Sequence, residues 1–199
     1  ADVKPIVVRN DYNAADDSLF AIGWNNELAI NERWTLNADI GHSSAKREER
    51  ILEVYAGLAD QGRDTVDLFH NPDGFFDFTL GRDYSSAADL RMYDPGGWGG
   101  ERAQAGYLKD FEVKDSLTTV RFDFSRSFDT GMISSLAFGA NLTDRTKSRA
   151  SSEATLCITE ACSENVEGVI PDQYVTATSF GQFGLPGVLG LDALGMLNG

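Results

Sequence analysis

Basic residues are scarce in this chain: 17 Lys and Arg stand against 31 Asp and Glu, a formal net charge of −14 over 199 residues. Nucleic-acid binding needs clustered Lys and Arg to displace counterions from phosphates, so that class of partner is excluded. The same balance would repel anionic lipid headgroups at a peripheral contact. No run of about 18 apolar residues occurs, which excludes a membrane-spanning helix. No charged-then-apolar signal segment opens the chain either. Neither absence bears on a membrane protein built of strands.

Histidine is equally sparse. His42 and His70 stand alone, with no spacing of a Ser-His-Asp triad, and read as solvated or structural. The acidic positions Asp16, Asp17, Asp60, Asp64 and Asp67 lack the glycine and closing Glu of a calcium loop. The run Gly96-Gly97-Trp98-Gly99-Gly100 lacks the Lys and the strand-to-helix setting of a phosphate loop. The expectation is therefore no catalytic residues, no metal site and no cofactor: this is not an enzyme. The two cysteines, Cys157 and Cys162, are too few to hold zinc. Two readings stay open for them. A disulfide stapling a polar loop is preferred and implies an oxidising compartment; a pair of free thiols is the alternative.

What the sequence does have is period-two alternation. Phe20, Ile22, Trp24, Leu28 and Ile30 alternate with Ala21, Gly23, Asn25, Glu27 and Ala29. After Asn31-Glu32-Arg33 the pattern resumes, with Trp34, Leu36, Ala38 and Ile40 against Thr35, Asn37, Asp39 and Gly41. A second pair repeats the design. Val120, Phe122, Phe124 and Phe128 lead to Asp129-Thr130-Gly131, and Met132, Leu136, Phe138, Ala140 and Leu142 follow. On a helix, apolar residues two apart would spiral around the whole surface, so these are strands. The spacing predicts an all-β antiparallel meander of hairpins, with membrane strands over about 18–30, 34–45, 116–128 and 131–145, each hairpin closing in about three residues.

The remaining connections are long, roughly 59–111 and 146–199. Short turns at one end and long loops at the other are the pattern of an outer-membrane barrel. Within the first long segment Phe76, Phe78 and Leu80 read as a strand; in the second, Leu189 to Leu197 reads as a short helix. Polar side chains such as Glu27, Asn37, Asp39, Arg121 and Asp123 share one face. The opposite face turns from apolar to charged at Lys46, Glu48 and Arg50, and charge likewise follows the fourth apolar run at Arg145 and Lys147. Trp24, Trp34 and Phe128 then fall towards the short-turn side, as an aromatic girdle would. A self-contained soluble periplasmic or cell-surface β-domain, binding a ligand or partner, remains the alternative.

The best ligand candidates are Tyr93, Asp94, Trp98, Glu101, Arg102 and Tyr107, where aromatic faces lie beside charges as stacking on a sugar ring or an amphipathic chelate requires. The competing reading is that these aromatics pack the loop against itself.

The runs Leu19-Phe20-Ala21-Ile22-Gly23-Trp24-Asn25-Asn26-Glu27-Leu28 and Arg33-Trp34-Thr35-Leu36-Asn37-Ala38-Asp39-Ile40 resemble the barrel strands of TonB-dependent outer-membrane receptors. So does Phe138-Gly139-Ala140-Asn141-Leu142-Thr143-Asp144-Arg145 with its continuation to Arg149. The likeness is to the branch of Caulobacter-like and Xanthomonas-like bacteria, linked with carbohydrate uptake, whose loops Phe183-Gly184-Leu185-Pro186-Gly187 also fits. The resemblance implies an interior section of a plugged barrel of about 22 strands in the outer membrane of a Gram-negative bacterium. It implies uptake of a scarce nutrient, carbohydrate or siderophore-like. The implied partners are that small molecule, outer-membrane lipid and the energising TonB complex, the last acting through a plug domain absent from this sequence. The final residues Met196-Leu197-Asn198-Gly199 lack the terminal aromatic of a barrel end. A fragment that cannot transport by itself is the expectation.

Overall fold

The computed structural model describes residues 2, 3, 6–98, 104–160, 162, 166–181 and 184–199. It is an all-β chain whose strands are β1 (Asp2–Val3), β2 (Val8–Ala29), β3 (Trp34–Leu58), β4 (Asp64–His70), β5 (Phe76–Leu80), β6 (Leu90–Met92), β7 (Gln104–Ser127), β8 (Ser135–Cys157), β9 (Val175–Thr178) and β10 (Val188–Leu191). One short helix, α1 (Ala193–Asn198), follows, and the Asp192 carboxylate caps it by accepting the Gly195 N–H at 2.9 Å. The main sheet runs β2-β3-β7-β8, with β6 added beside β3. Smaller sheets are β1-β4-β5 and β10-β9.

The four alternating segments are the cores of the four long strands, and the expected strand at Phe76–Leu80 is β5. Three expectations need correction. The second hairpin link covers 128–134 rather than three residues, closed by the Phe128 N–H donating to the Ser134 carbonyl at 2.9 Å, so Met132 and Ile133 lie outside the strand. Gly131 sits there at φ 111°, a conformation that strains any residue with a Cβ. Helix in the last segment is confined to Ala193–Asn198, because Leu189–Leu191 belong to β10 and pair with β9. The long strands also run further than their apolar alternation, so the long connections shrink to 59–103 and 158–199. Where both faces are wet there is no polarity contrast to read. Residues 42–50 and 143–153 are held instead by the backbone ladder and by cross-strand ion pairs.

The first hairpin closes as expected. Ile30 N–H donates to the Trp34 carbonyl at 2.9 Å, and the Asn31 side-chain oxygen accepts from the backbone of Arg33 and Trp34, each at 3.0 Å. This is an Asx-type turn that only a short polar side chain can make.

The chain divides into two compact units. The first comprises 1–14, 50–110 and 152–199. Its core is Val8, Leu52, Val54, Ala56, Leu58, Tyr84, Leu90, Ile170, Leu189, Leu191 and Ala193. The even positions of β3 here are covered by residues from both long connections. The second unit comprises 15–49 and 111–151 and holds nothing but strand segments and their two links. No second layer exists within it. Its even face keeps Phe20, Ile22, Trp24, Leu28, Phe122, Leu136, Phe138 and Leu142 exposed; Ile22 retains 63%. Contacts on that face are aromatic: Phe124 stacks on Phe138 at 5.6 Å, and Trp34 meets Phe138 edge-on at 6.4 Å. The Arg126 guanidinium lies over Trp34 at 5.4 Å and over Phe128 at 4.9 Å, beside the short links.

Leu52 is fully enclosed. Replacing it with Ala removes packed methyl groups and leaves a cavity, and is expected to cost about 2–5 kcal/mol. Urea unfolding of Leu52→Ala beside the parent checks this; the exposed Leu142→Ala serves as the control and should move the midpoint far less.

Candidate functional site

The first unit carries a cluster of charged and aromatic side chains on the odd positions of its long strands. β2 supplies Arg9 and Asp11, β3 supplies Glu53 and Tyr55, β7 supplies Tyr107 and Lys109, and β8 supplies Glu153. Arg9 is held as a fork, with Nε and Nη2 on the two oxygens of Asp11 at 2.8 Å each and Nη2 also on Glu53 at 2.8 Å. The Asp11 hydrogen bond strengthens its hold on its proton. The Tyr55 hydroxyl donates to the other oxygen of Glu53. Burial, then that carboxylate, push the Tyr55 hydroxyl well above the ordinary phenol range. Lys109 pairs with Glu153, and burial followed by a hydrogen bond with Glu153 raises Tyr107.

The turn 93–98 lies against this cluster. Tyr93 is buried and its hydroxyl donates to the Leu58 carbonyl at 2.9 Å. Just before it, Met92 and Gly168 exchange two backbone hydrogen bonds, at 2.8 and 2.9 Å, while β6 pairs with β3. The chain then turns at Asp94–Gly97, with the Gly97 N–H donating to the Asp94 carbonyl at 3.3 Å and Gly97 at φ 71°. Trp98 comes back over Gly96 and meets Tyr55 edge-on at 5.0 Å, while 56% of it stays exposed. Gly57 makes this approach possible: a Cβ there would stand 2.7 Å from the Tyr93 hydroxyl and collide with Pro95.

The candidates named from sequence thus part company. Tyr93 is a structural anchor, Trp98 presents an open ring, and Tyr107 stands on β7 within the charged row. Asp94 forms the turn. Glu101 and Arg102 lie outside the described residues. Sequence reasoning missed Arg9, Asp11, Glu53, Tyr55, Lys109 and Glu153. Their common odd parity was visible, but the register that aligns four strands was not.

A second polar cluster belongs to the other unit. Asn25, Asn37, Asp39, Thr119, Arg121, Asp123 and Asn141 line a cavity of about 450 Å³ on its odd face. Asn25 donates to Asp39 at 3.1 Å and Arg121 to Asp123 at 2.5 Å.

Cys157 and Cys162 form a disulfide with their Cα atoms 5.2 Å apart, at the end of β8. The Cys162 N–H donates to the Thr159 carbonyl at 2.9 Å, and Cys162 adopts φ 46°. No residues described here gather as a set of three or more His, Cys, Asp or Glu able to hold a metal. Compared with known proteins, the chain matches no family model and no curated relative.

Two outcomes follow from this geometry. The Tyr93 hydroxyl, raised to about 12 by burial and then by Glu167, is harder to ionise in the folded chain than in the unfolded one. Its contribution to stability is therefore complete below about pH 10, the ordinary phenol value, and is lost as pH rises towards 12. A phenolate absorbance titration should show a late-ionising component that Tyr93→Phe removes. Separately, Cys157→Ser with Cys162→Ser frees a short loop and should lower stability by about 2 kcal/mol, read by thermal unfolding under non-reducing conditions.

Proposed function

We propose that this chain is part of a TonB-dependent outer-membrane receptor that captures a nutrient for energised uptake. The observation that carries the reading is the second unit: one layer of strands, apolar and uncovered on its even face, polar on its odd face. Water would penalise that apolar face, whereas lipid covers it without cost. From Phe20 to Ile30 the apolar positions span about 33 Å of strand at ~3.3 Å per residue. Tilted by ~45°, that is about 23 Å across a bilayer, close to the ~25 Å apolar band of such barrels. Arg126 over Trp34 and Phe128 supplies the interfacial aromatic and cation expected at the short-turn end. No helix among the described residues is long and apolar enough to cross a membrane, which says nothing of crossing by strands.

Ligand capture falls to the charged and aromatic row of the first unit. Trp98 and Tyr107 offer stacking faces, and Arg9, Glu53, Lys109 and Glu153 offer hydrogen-bonding partners whose charges are already paired. Paired charges favour a neutral polyhydroxylated ligand over an anionic metal chelate, which would need unpaired cations. The disulfide fits an exported protein. Residues 18–29, 34–45, 116–127 and 135–145, within the four long strands, are the membrane-spanning segments in this reading, facing outer-membrane lipid. The energising TonB complex would act through a plug domain outside this sequence.

The enclosed core of the first unit favours a second reading, a soluble β-domain of the periplasm or cell surface that binds a ligand. The two part on solubility. In the receptor reading the parent protein fractionates with outer membranes and migrates faster on a gel before boiling than after. The isolated chain aggregates unless detergent is present, as light scattering would register. A monodisperse, detergent-free monomer would transfer the case to the soluble domain. Trp98→Ala in the parent protein should weaken binding of a neutral oligosaccharide at least tenfold by titration calorimetry, leaving the outer-membrane fraction unchanged.

A further inference from the structure

The hairpin β4–β5 stands apart from both readings. Its strands pair from Val66↔Leu80 through Leu68↔Phe78 to His70↔Phe76, so Leu68, His70, Phe76 and Phe78 fall on one face and Phe69 falls on the other with Asp77. The tip turns at Asn71–Gly74, where the Gly74 N–H donates to the Asn71 carbonyl at 3.0 Å and Gly74 takes φ 92°. Asn71 also clamps the turn by donating from its side chain to Asp77 at 2.9 Å, and the Asp73 carboxylate accepts the Phe75 N–H at 3.2 Å. The tip is therefore built, with its aromatics held outward. Leu68, Phe69 and Phe75 are 58%, 65% and 67% exposed, and the His70 ring meets the edge of Phe76 at 4.8 Å. Leu68, Phe69, Phe75 and Phe76, all left open on one ordered hairpin, are costly in water unless something is meant to cover them.

Charge selects what covers them. Between Asp64 and Leu80 the hairpin carries Asp64, Asp67, Asp73 and Asp77 and no Lys or Arg. Asp64 is buried at the base, leaving Asp67, Asp73 and Asp77 exposed around the phenylalanines. The chain as a whole is at −14, so the long-range field points the same way. An anionic lipid surface would be repelled. A cation gains twice here, from the carboxylates and from the rings of Phe69 and Phe75.

We propose that the β4–β5 hairpin tip is a docking site for a cationic amphipathic peptide segment, with the partner's apolar side chains on Phe69 and Phe75 and its Lys or Arg on Asp67, Asp73 and Asp77. The site is separate from the Trp98 cluster and does not rest on the receptor reading. It asks the partner for apolar anchors alternating with or flanked by cations, and it places them on an extended, preformed hairpin, so little ordering cost falls on this side of the complex.

The test uses the full chain and a labelled twelve-residue peptide of alternating Lys and Leu, read by fluorescence anisotropy. Binding should weaken at least tenfold in Phe69→Ser with Phe75→Ser, and at least tenfold in Asp67→Asn with Asp73→Asn. A peptide with Glu in place of Lys should not bind, and raising salt from low to high should weaken the parent more than the Asn variant. Asn at 73 keeps the acceptor for the Phe75 N–H, and Phe75→Ser alone serves if the double variant unfolds by circular dichroism. Equal binding by all variants would overturn the proposal, since the peptide would then be responding only to the net charge. Loss of zwitterionic lipid-vesicle binding in the Ser variant, with no effect of the Asn variant on peptide binding, would also overturn it in favour of a lipid contact.

Discussion

Backbone pairing across four long strands is the constraint on which the rest of this molecule depends. A strand buries its polar backbone only by giving its N–H and C=O groups to neighbours, and once it does so its side chains alternate between two faces without choice. β2, β3, β7 and β8 extend over 22 to 25 residues each. Over such a length one alternating pattern must satisfy different surroundings. In the second unit the even face is open and apolar. In the first, even positions of β3 such as Leu52, Val54, Ala56 and Leu58 enter an enclosed core.

Between those apolar stretches the strands are polar on both sides, and cross-strand ion pairs take over as the side-chain contribution. Lys46 pairs with Glu112, Arg47 with Asp17, Arg145 with Asp115, and Arg50 makes a two-point contact with Asp110. Each is solvent-screened and adds little to stability by itself. Their value lies in register. A slip of one residue would exchange the two faces of a strand and break these pairings.

The candidate ligand cluster is a product of the same alignment. Arg9, Glu53, Tyr107 and Glu153 lie on four different strands and share a face only because the ladder brings those positions level. Trp98 reaches that face because Gly57 leaves room for Tyr93 and Pro95 against β3, and because β6 and the Met92–Gly168 bridge hold the approach to the turn. Charges that are already paired can bind hydroxyl groups without first being desolvated alone, which suits a neutral ligand.

The sequence by itself determined the strand class, the two hairpins and the division of residues 18–30, 34–40, 120–128 and 136–142 into an apolar and a polar face. Alternation is a local property with a fixed period, so it survives without knowledge of neighbours. It also marked β5, raised Trp98 as a stacking candidate against a self-packed loop, and preferred, over free thiols, the Cys157–Cys162 disulfide that the structure contains. Only the tertiary structure decided how far the strands continue through 8–17, 46–58, 104–115 and 146–157, because a strand wet on both faces, or buried on both, carries no contrast of polarity to detect. Only it revealed that Tyr93 anchors the turn, since a hydroxyl donating to the Leu58 carbonyl 35 residues away has no local signature. The alignment of Arg9, Glu53, Tyr107 and Glu153 was likewise beyond reach, because register between strands far apart in sequence is set by hydrogen bonds that form only when the sheet does.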